Sequence, residues 1–499
     1  MIIIHNQHQN LCDMFQLTKT FLLFSCLFIS NKLISQEQLG LRLGNYAGIN
    51  GVTLNPTAGV NNPLGWDVNI VSLGAFFAND YIFVKNVSIP SFFRNIMTLG
   101  PAPETKITIP SKPTQFYDFF NRPRDKFFSS AVFAGLPSFQ LNLASGHSFG
   151  VFMGERVGLT TRQIPIIADP YEQKIPLGLR YEVPPLVVCG MAWGELGFNY
   201  AYQMGSETEG GLSFGVNAKI LRANQGFFLE NLNGTAFTRI TKDSARVDAL
   251  NVRGGFTKNI MNKPFSNNGL GFGFDIGAQF VLGSGESDER PYLFRIGASL
   301  LDFGHINFTK NTEVHAVKIT EPLKVETKDY KNLDPDDLEG DIVRRFNQSM
   351  YGRVDGSYQG NYFGLGLPTA LSLQGDIAIT ENFFVNGLLI QRLRMSDFAL
   401  SRDNVLAVTP RFESQWLGVS LPLSILNYSQ VRFGFAARLA FLTIGTDHLM
   451  SLLGQKRLTG SDLYVALKIN AFTIGKLGEN GGFWSSKRGR RNAKCYRFQ

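Results

Sequence analysis

The chain has 499 residues, 44% of them hydrophobic, with a mean hydropathy of −0.02. That balance excludes a bundle of transmembrane helices, because no run of 18 apolar residues occurs beyond the N-terminal leader. The formal charge of +8 is concentrated at one end: Lys487, Arg488, Arg490, Arg491, Lys494 and Arg497 crowd a tail without an acid, so the body is near neutral and nucleic-acid binding has no support.

A soluble β-protein or a membrane barrel remains. The 51 glycines, 43 phenylalanines and only 18% charged residues suit a barrel, whose outer face takes Phe and whose inner face takes Gly.

In chain order, the first feature is a targeting segment. Lys19 precedes an apolar core of about ten residues, Thr20 to Ile29, too short to span as a helix and right for a secretory signal. Cleavage is expected after Ser35, giving a leader of residues 1–35 with Met14 as an alternative start. Of the cysteines, Cys189 and Cys495 then remain, which make no framework and no metal pair.

Residues 36–65 are rich in Gly, Asn and Pro and contain Gly51-Val-Thr-Leu-Asn55-Pro56-Thr57-Ala58-Gly59. By itself this reads as a proline-directed turn ahead of a strand. The placement behind a leader also resembles an outer-membrane barrel family of unknown function from Bacteroidota. More distantly it is similar to the Asn-Pro-Ala-Gly start of FadL-like fatty-acid transporters and secretion-associated barrels, from which it departs by the inserted Thr57. That resemblance implies a hatch lying in or under the barrel, with Asn55 and Pro56 as its candidate residues.

Strands follow by period-2 alternation. They are expected at Trp66 to Phe76, Tyr81 to Val84, Ser129 to Gly135, Phe139 to Ala144, Phe149 to Val157, Trp193 to Tyr202, Leu212 to Leu221 and Arg246 to Phe256. A proline-studded loop, Lys85 to Lys126, carries an expected short helix at Phe116 to Asn121, and a second Pro-rich stretch covers Ile164 to Pro185.

The clearest stave is Leu270 to Phe280. Leu270, Phe272, Phe274, Ile276, Ala278 and Phe280 alternate with Gly271, Gly273, Asp275, Gly277 and Gln279. About eleven residues cross a bilayer at a tilt near 45°. A loop from Gly283 to Pro291 joins it to Tyr292, Phe294, Ile296, Ala298 and Leu300, which alternate with Leu293, Arg295, Gly297 and Ser299.

A polar insertion, His305 to Tyr362, has a helix start at Asp334-Pro335, giving an expected helix from Pro335 to Phe346. Strands resume at Ala370 to Thr380, Phe383 to Gln391, Leu406 to Trp416, Val431 to Phe441 and Leu463 to Phe472.

The fold class is therefore all-β: a transmembrane antiparallel β-barrel of about 14 strands (14–16) with long loops and an N-terminal hatch-like segment. The expected layout is a leader, the Asn-Pro segment 36–65, a barrel over 66–475 with long loops near 85–126 and 305–362, and a basic tail over 476–499. The polar faces collect charges of both signs. Lys219, Asp275, Gln279, Arg295, Asp376, Arg411, Glu413, Arg432, Arg438 and Lys468 are the candidate lumen residues.

Enzymatic and metal chemistry find little footing. Gly146-His147-Ser148-Phe149-Gly150 fits a nucleophile elbow by spelling, but strands flank it on both sides, so a hairpin turn at Ser145 to Ser148 is expected. The acids Asp334, Asp336, Asp337, Glu339 and Asp341 break the order of a calcium loop. No cofactor is implied. Passage or binding of a small solute, an apolar one among the candidates, is the expected function. A docking barrel serving a surface, gliding or secretion assembly is the alternative. Outer-membrane lipid and the barrel-assembly machinery are the expected partners.

Overall fold

The computed structural model describes residues 37–60, 62–91, 117–120, 126–143, 145–164, 177–206, 210–241, 244–258, 264–283, 290–319, 321–326 and 338–470. The expected leader, the acid cluster at 334–337, Cys495 and the basic tail lie outside them.

The fold is a closed antiparallel barrel of 14 strands. The first five staves are β1 (Trp66–Asn79), β2 (Lys126–Gly135 and Ser138–Asn142), β3 (His147–Ile164), β4 (Leu186–Ser206) and β5 (Gly210–Asn231). Next come β6 (Gly269–Leu282), β7 (Phe294–Phe308), β8 (Phe363–Gly366 and Ala370–Ala378), β9 (Phe383–Arg392) and β10 (Val405–Glu413). The last four are β11 (Leu417–Ser420 and Leu423–Leu426), β12 (Gln430–Phe433 and Phe435–Leu439), β13 (Leu442–Thr446) and β14 (Gly460–Asn470). Closure is made by β14 on β1, from Asp67 opposite Asn470 to Ala78 opposite Gly460. A closed wall leaves no unpaired strand edge.

Alternation explains the wall. In β6, Phe272 is 61% exposed on the outer face while Asp275 is fully buried on the inner one. The same in-out pattern runs along β5 and β14. Short turns join the staves at one end; at the other the connections are long, except the turn 427–429 between β11 and β12.

At the long-connection end, Ser244–Thr257, Thr312–Ile319, Arg180–Val183, Thr235–Arg239 and Leu323–Glu326 build a sheet beyond the rim. The segment read as the stave Arg246 to Phe256 belongs to this sheet and not to the barrel circuit. Among the staves it pairs only with the far end of β5, where Phe256 faces Phe227.

Other expectations are corrected. Tyr117–Phe119 is a strand where a helix at Phe116 to Asn121 was expected, because the free edge of Ile82–Val87 takes it up. Val431 to Phe441 is not one stave: Gly434 interrupts β12, and Ala440, at φ 51°, turns the chain into β13. The helix of the insertion, α2 (Leu338–Tyr351), runs past Phe346 and stops at Gly352, whose φ of 68° suits a left-handed terminator. Tyr292, expected on the outer face, is buried before β7 begins, with its hydroxyl 3.1 Å from Asp376. Leu417–Leu426 and Leu442–Thr446 were not anticipated.

Candidate functional site: a plugged lumen

Residues 37–60 and 62–65 fill the lumen. They form α1 (Leu39–Arg42) and two 3₁₀ turns, Gly48–Thr53 and Pro56–Gly59. Leu39, Ile49, Val52 and Leu54 are almost wholly buried. Burial of side chains of this size stabilises by about 1.5–3 kcal/mol each.

The Asn-Pro motif is a helix start. Asn55 accepts the Thr57 backbone N–H at 3.0 Å as N-cap, and Pro56 occupies the first position, where its missing N–H costs nothing. Inner-face glycines make room for it. A Cβ at Gly277 would stand 2.6 Å from Asn55 Oδ1, one at Gly215 2.5 Å from the Pro56 carbonyl carbon, and one at Gly297 2.8 Å from Asn55 Nδ2. The wall then bonds the motif directly. Asn199 Nδ2 donates to the Pro56 carbonyl at 2.9 Å, and the Thr57 hydroxyl donates to Gln279 Oε1 at 3.0 Å.

The opposite wall holds the plug through charged and hydroxyl groups. Asp447 accepts the Leu39 N–H at 3.0 Å, and Tyr464 Oη accepts that of Gly40 at 2.9 Å. Glu413 accepts the Asn45 N–H at 3.0 Å, Asp67 accepts that of Ile49 at 3.0 Å, and Lys468 Nζ donates to the Ala47 carbonyl at 2.6 Å. These bonds satisfy backbone groups that would otherwise be buried without partners.

Two ionic clusters span the lumen. In one, Asp376 takes Arg411 and Arg295, each at 2.5 Å, while Arg411 Nε donates to Glu413 at 2.8 Å and Arg295 reaches Asn45 at 2.7 Å. In the other, Asp302 is the hub. Arg156 binds it with both guanidinium nitrogens, at 2.9 and 3.1 Å, and Lys219 Nζ lies 2.8 Å away. Arg402 approaches to 3.3 Å and is itself clamped on Glu37 of the plug at 2.7 and 2.8 Å. Asp275 accepts from Lys219 at 2.8 Å, from Asn217 at 2.7 Å and from the Asp302 N–H at 2.6 Å.

Asp302 faces inward because of a bulge. Phe274 pairs with Phe303 and Ile276 with Leu300, so Leu301 and Asp302 together oppose Asp275. Asp302 adopts φ 50°, and its side chain turns into the lumen where unbroken alternation would have sent it outward.

The structure therefore brings Lys219, Asp275 and Gln279 to the middle of the plug, and Arg295, Asp376, Arg411 and Glu413 to the second cluster. Lys468 pairs with Asp67 at the seam. Arg432 is buried beside Phe76, and Arg438 caps the Ser414 and Gln415 carbonyls at the short-turn rim, over Tyr46. Sequence reasoning missed Asp302, Arg156, Glu195, Arg402 and Glu37. Arg156 shares parity with inward Gly150 and Gly154, a usable signal; Arg402 lies in a connection, where alternation says nothing.

That connection, residues 393–404, closes the long-connection end. Leu400 and Phe398 pack into an apolar cluster with Met191, Trp193, Leu221 and Phe228. Between it and the plug lies a small cavity lined by Arg42, Arg156, Lys219 and Arg402 with Trp193 and Asp302. A second small cavity lies toward the short turns, beside Asn55, Gln279, Arg295, Gln374, Asp376 and Asn386.

The elbow-like pentapeptide is structural. Gly146, at φ 83°, makes the turn, and His147 and Ser148 already belong to β3 on opposite faces. Ser148 is buried and accepts from Gln140 at 3.0 Å, while His147 meets the Tyr200 hydroxyl on the outer face. A strand and not a helix follows.

Among curated proteins no match to the chain is found. Similar solved structures include channels and transporters. A deltaS2S3 mutant of the TodX monoaromatic hydrocarbon channel is 10% identical, with 85% of this chain and 94% of that one covered at a TM-score of 0.39. The toluene transporter TodX from Pseudomonas putida is 10% identical over 88% of this chain and 98% of that one, at 0.35. A FadL homologue from Pseudomonas aeruginosa is 9% identical over 87% and 97%, at 0.22. Likeness of this degree fixes neither solute nor mechanism. By sequence, residues 56–447 match the model described as a family of unknown function (DUF5723), and the chain belongs to that family.

Proposed function

We propose that the protein is an outer-membrane barrel that binds or passes a small solute through its partly plugged lumen. The location is supported by the outer face, where Leu270, Phe272, Phe274, Ile276 and Phe280 of β6 are continued by Phe214, Val216 and Ile220 of β5 and Phe198 and Tyr200 of β4. An apolar belt of alternate residues, with short turns at one end and long connections at the other, is the arrangement of outer-membrane barrels. The expected leader would deliver the chain there.

The observation that carries the solute reading is the pair of cavities beside the plug. Their walls carry hydroxyls, amides and paired charges, with Trp193 and Leu400 added in the first, which suits a small polar or amphipathic solute. Planar-bilayer recording of the intact protein and of a variant lacking residues 36–65 tests this. Low conductance from the first and a large step from the second is expected. Silence from both removes the reading.

A docking barrel is the second reading, favoured by the sheet beyond the rim, where Leu177, Leu179, Tyr358 and Tyr362 stand exposed. A stoichiometric partner retained through purification, together with a silent truncated barrel, would select it.

A further inference from the structure

We propose that the second cavity is a binding site for a small uncharged solute that carries a hydrogen-bond donor and acceptor side by side, as a carboxamide does, and that Asn386 is its principal contact. The proposal rests on the solute reading above and specifies the class of solute.

Its first support is what the lining leaves open. Asn386 stands on the inner face of β9, buried, between Asp376 of β8 and Thr409 of β10 in the register of the wall. It lines the cavity, and among the described residues its side-chain amide has no hydrogen-bond partner; Oδ1 is enclosed without a donor. One row away, Gln279 of β6 and Gln374 of β8 flank Gly297 of β7, which adds no side chain between them. Gln374 uses its Nε2 on the Leu54 carbonyl and the Ser372 hydroxyl, each at 3.2 Å, and Gln279 accepts the Thr57 hydroxyl at 3.0 Å. The opposite ends, an acceptor on Gln374 and a donor on Gln279, are unpartnered among the described residues, and both side chains line the cavity. Buried amides are nearly always hydrogen-bonded, so free amide groups gathered on one cavity assign it a hydrogen-bonding occupant. An amide offers both a donor and an acceptor, and its closest complement is a group that offers both in return.

The second support is that the ions of this lining are already engaged. Asp376 takes both Arg295 and Arg411, and Arg411 also reaches Glu413. The Arg42 guanidinium lies over the Phe133 ring. A charged solute would leave its hydration shell and meet no free counter-charge, whereas an uncharged one loses only hydrogen bonds that the amides replace. The small size of the cavity confines the bound group to a few non-hydrogen atoms.

Saturation-transfer NMR on the full-length protein in detergent micelles tests the proposal with three probes of one shape: acetamide, acetate and acetamidinium. Acetamide should receive saturable transfer at its methyl protons above that in protein-free micelles, and the two ions several-fold less. Asn386→Leu, close in volume, should cut the acetamide signal several-fold, with heat-modifiable gel migration confirming that the variant folds. If it does not fold, Asn386→Asp supplies the comparison and should turn the preference toward acetamidinium. No transfer to acetamide, which would mean ordered water only, overturns the proposal. So does equal transfer to all three probes, or an acetamide signal unchanged in the Asn386 variant that folds. Conductance of the form lacking residues 36–65 without transfer to acetamide removes this site and leaves solute passage standing. Transfer to acetamide with a silent truncated form keeps the site and removes passage.

Discussion

The two halves of the wall hold the same plug by different means. From β3 to β7 the staves are long, bent by a bulge at Leu301-Asp302, and they receive Asn55-Pro56 on bare backbone at Gly215, Gly277 and Gly297. From β10 to β14, where β11 is interrupted at Pro422 and β12 at Gly434, the wall grips α1 and residues 45–49 with Glu413, Asp447, Tyr464, Lys468 and, across the seam, Asp67. A long stave can bring the plug close only by omitting side chains. The first grip adds hydrogen bonds at Asn199 and Gln279 to a fit of shape; the second rests on charged and hydroxyl groups and yields one bond at a time.

The largest effect is expected at the hub of the β3–β7 half. Asp302→Ala leaves Arg156, Lys219 and Arg402 buried against too few carboxylates, and removal of one member of such a cluster costs about 3–5 kcal/mol. It should lower the denaturant midpoint for unfolding in detergent micelles more than any variant below. An unshifted midpoint would mean the cluster is solvated.

Next is shape. Gly277→Val places atoms where Asn55 and Pro56 now lie, an overpacking that costs about 1–3 kcal/mol. The folded barrel should persist while residues 37–65 become cleavable by added protease. Protection equal to the wild type would deny the cradle.

On the β10–β14 side, Tyr464→Phe removes the acceptor of the Gly40 N–H, at a cost of about 1 kcal/mol. Hydrogen exchange should quicken at Gly40 and leave Thr57 unchanged. Asn55→Ala, which loses the N-cap at a cost of about 1 kcal/mol, should show the reverse. Equal quickening at both amides in either variant would mean the plug moves as one body and the two grips are not separable.

Legibility in the sequence follows the same divide. Leu270 to Phe280 announced both its faces, because an unbroken alternation of eleven residues leaves few other readings. Leu417–Ser420 and Leu442–Thr446 are too short for a period to declare itself. Asp302 was hidden by a different cause. A bulge changes the parity of a strand, so a carboxylate that should have faced lipid turns inward; two leucines followed by an acid at Leu300-Leu301-Asp302 were the only trace. The contacts of Asn55 and Pro56 with β4 to β7 could not be read either, since they join residues far apart in the chain through glycines that carry no side-chain signal.

Whether residues 37–65 occupy the lumen of the folded protein is the central matter, and a cross-link measures it. Asn55 Nδ2 lies 3.4 Å from Gln279 Oε1, whereas Ser420 lies on the other wall. With Cys189 and Cys495 replaced by Ser, an Asn55→Cys, Gln279→Cys pair should be joined by a short bifunctional thiol reagent in folded, membrane-inserted protein, and an Asn55→Cys, Ser420→Cys pair should not. Joining of neither pair, or of both equally, would contradict a plug seated on the glycine cradle.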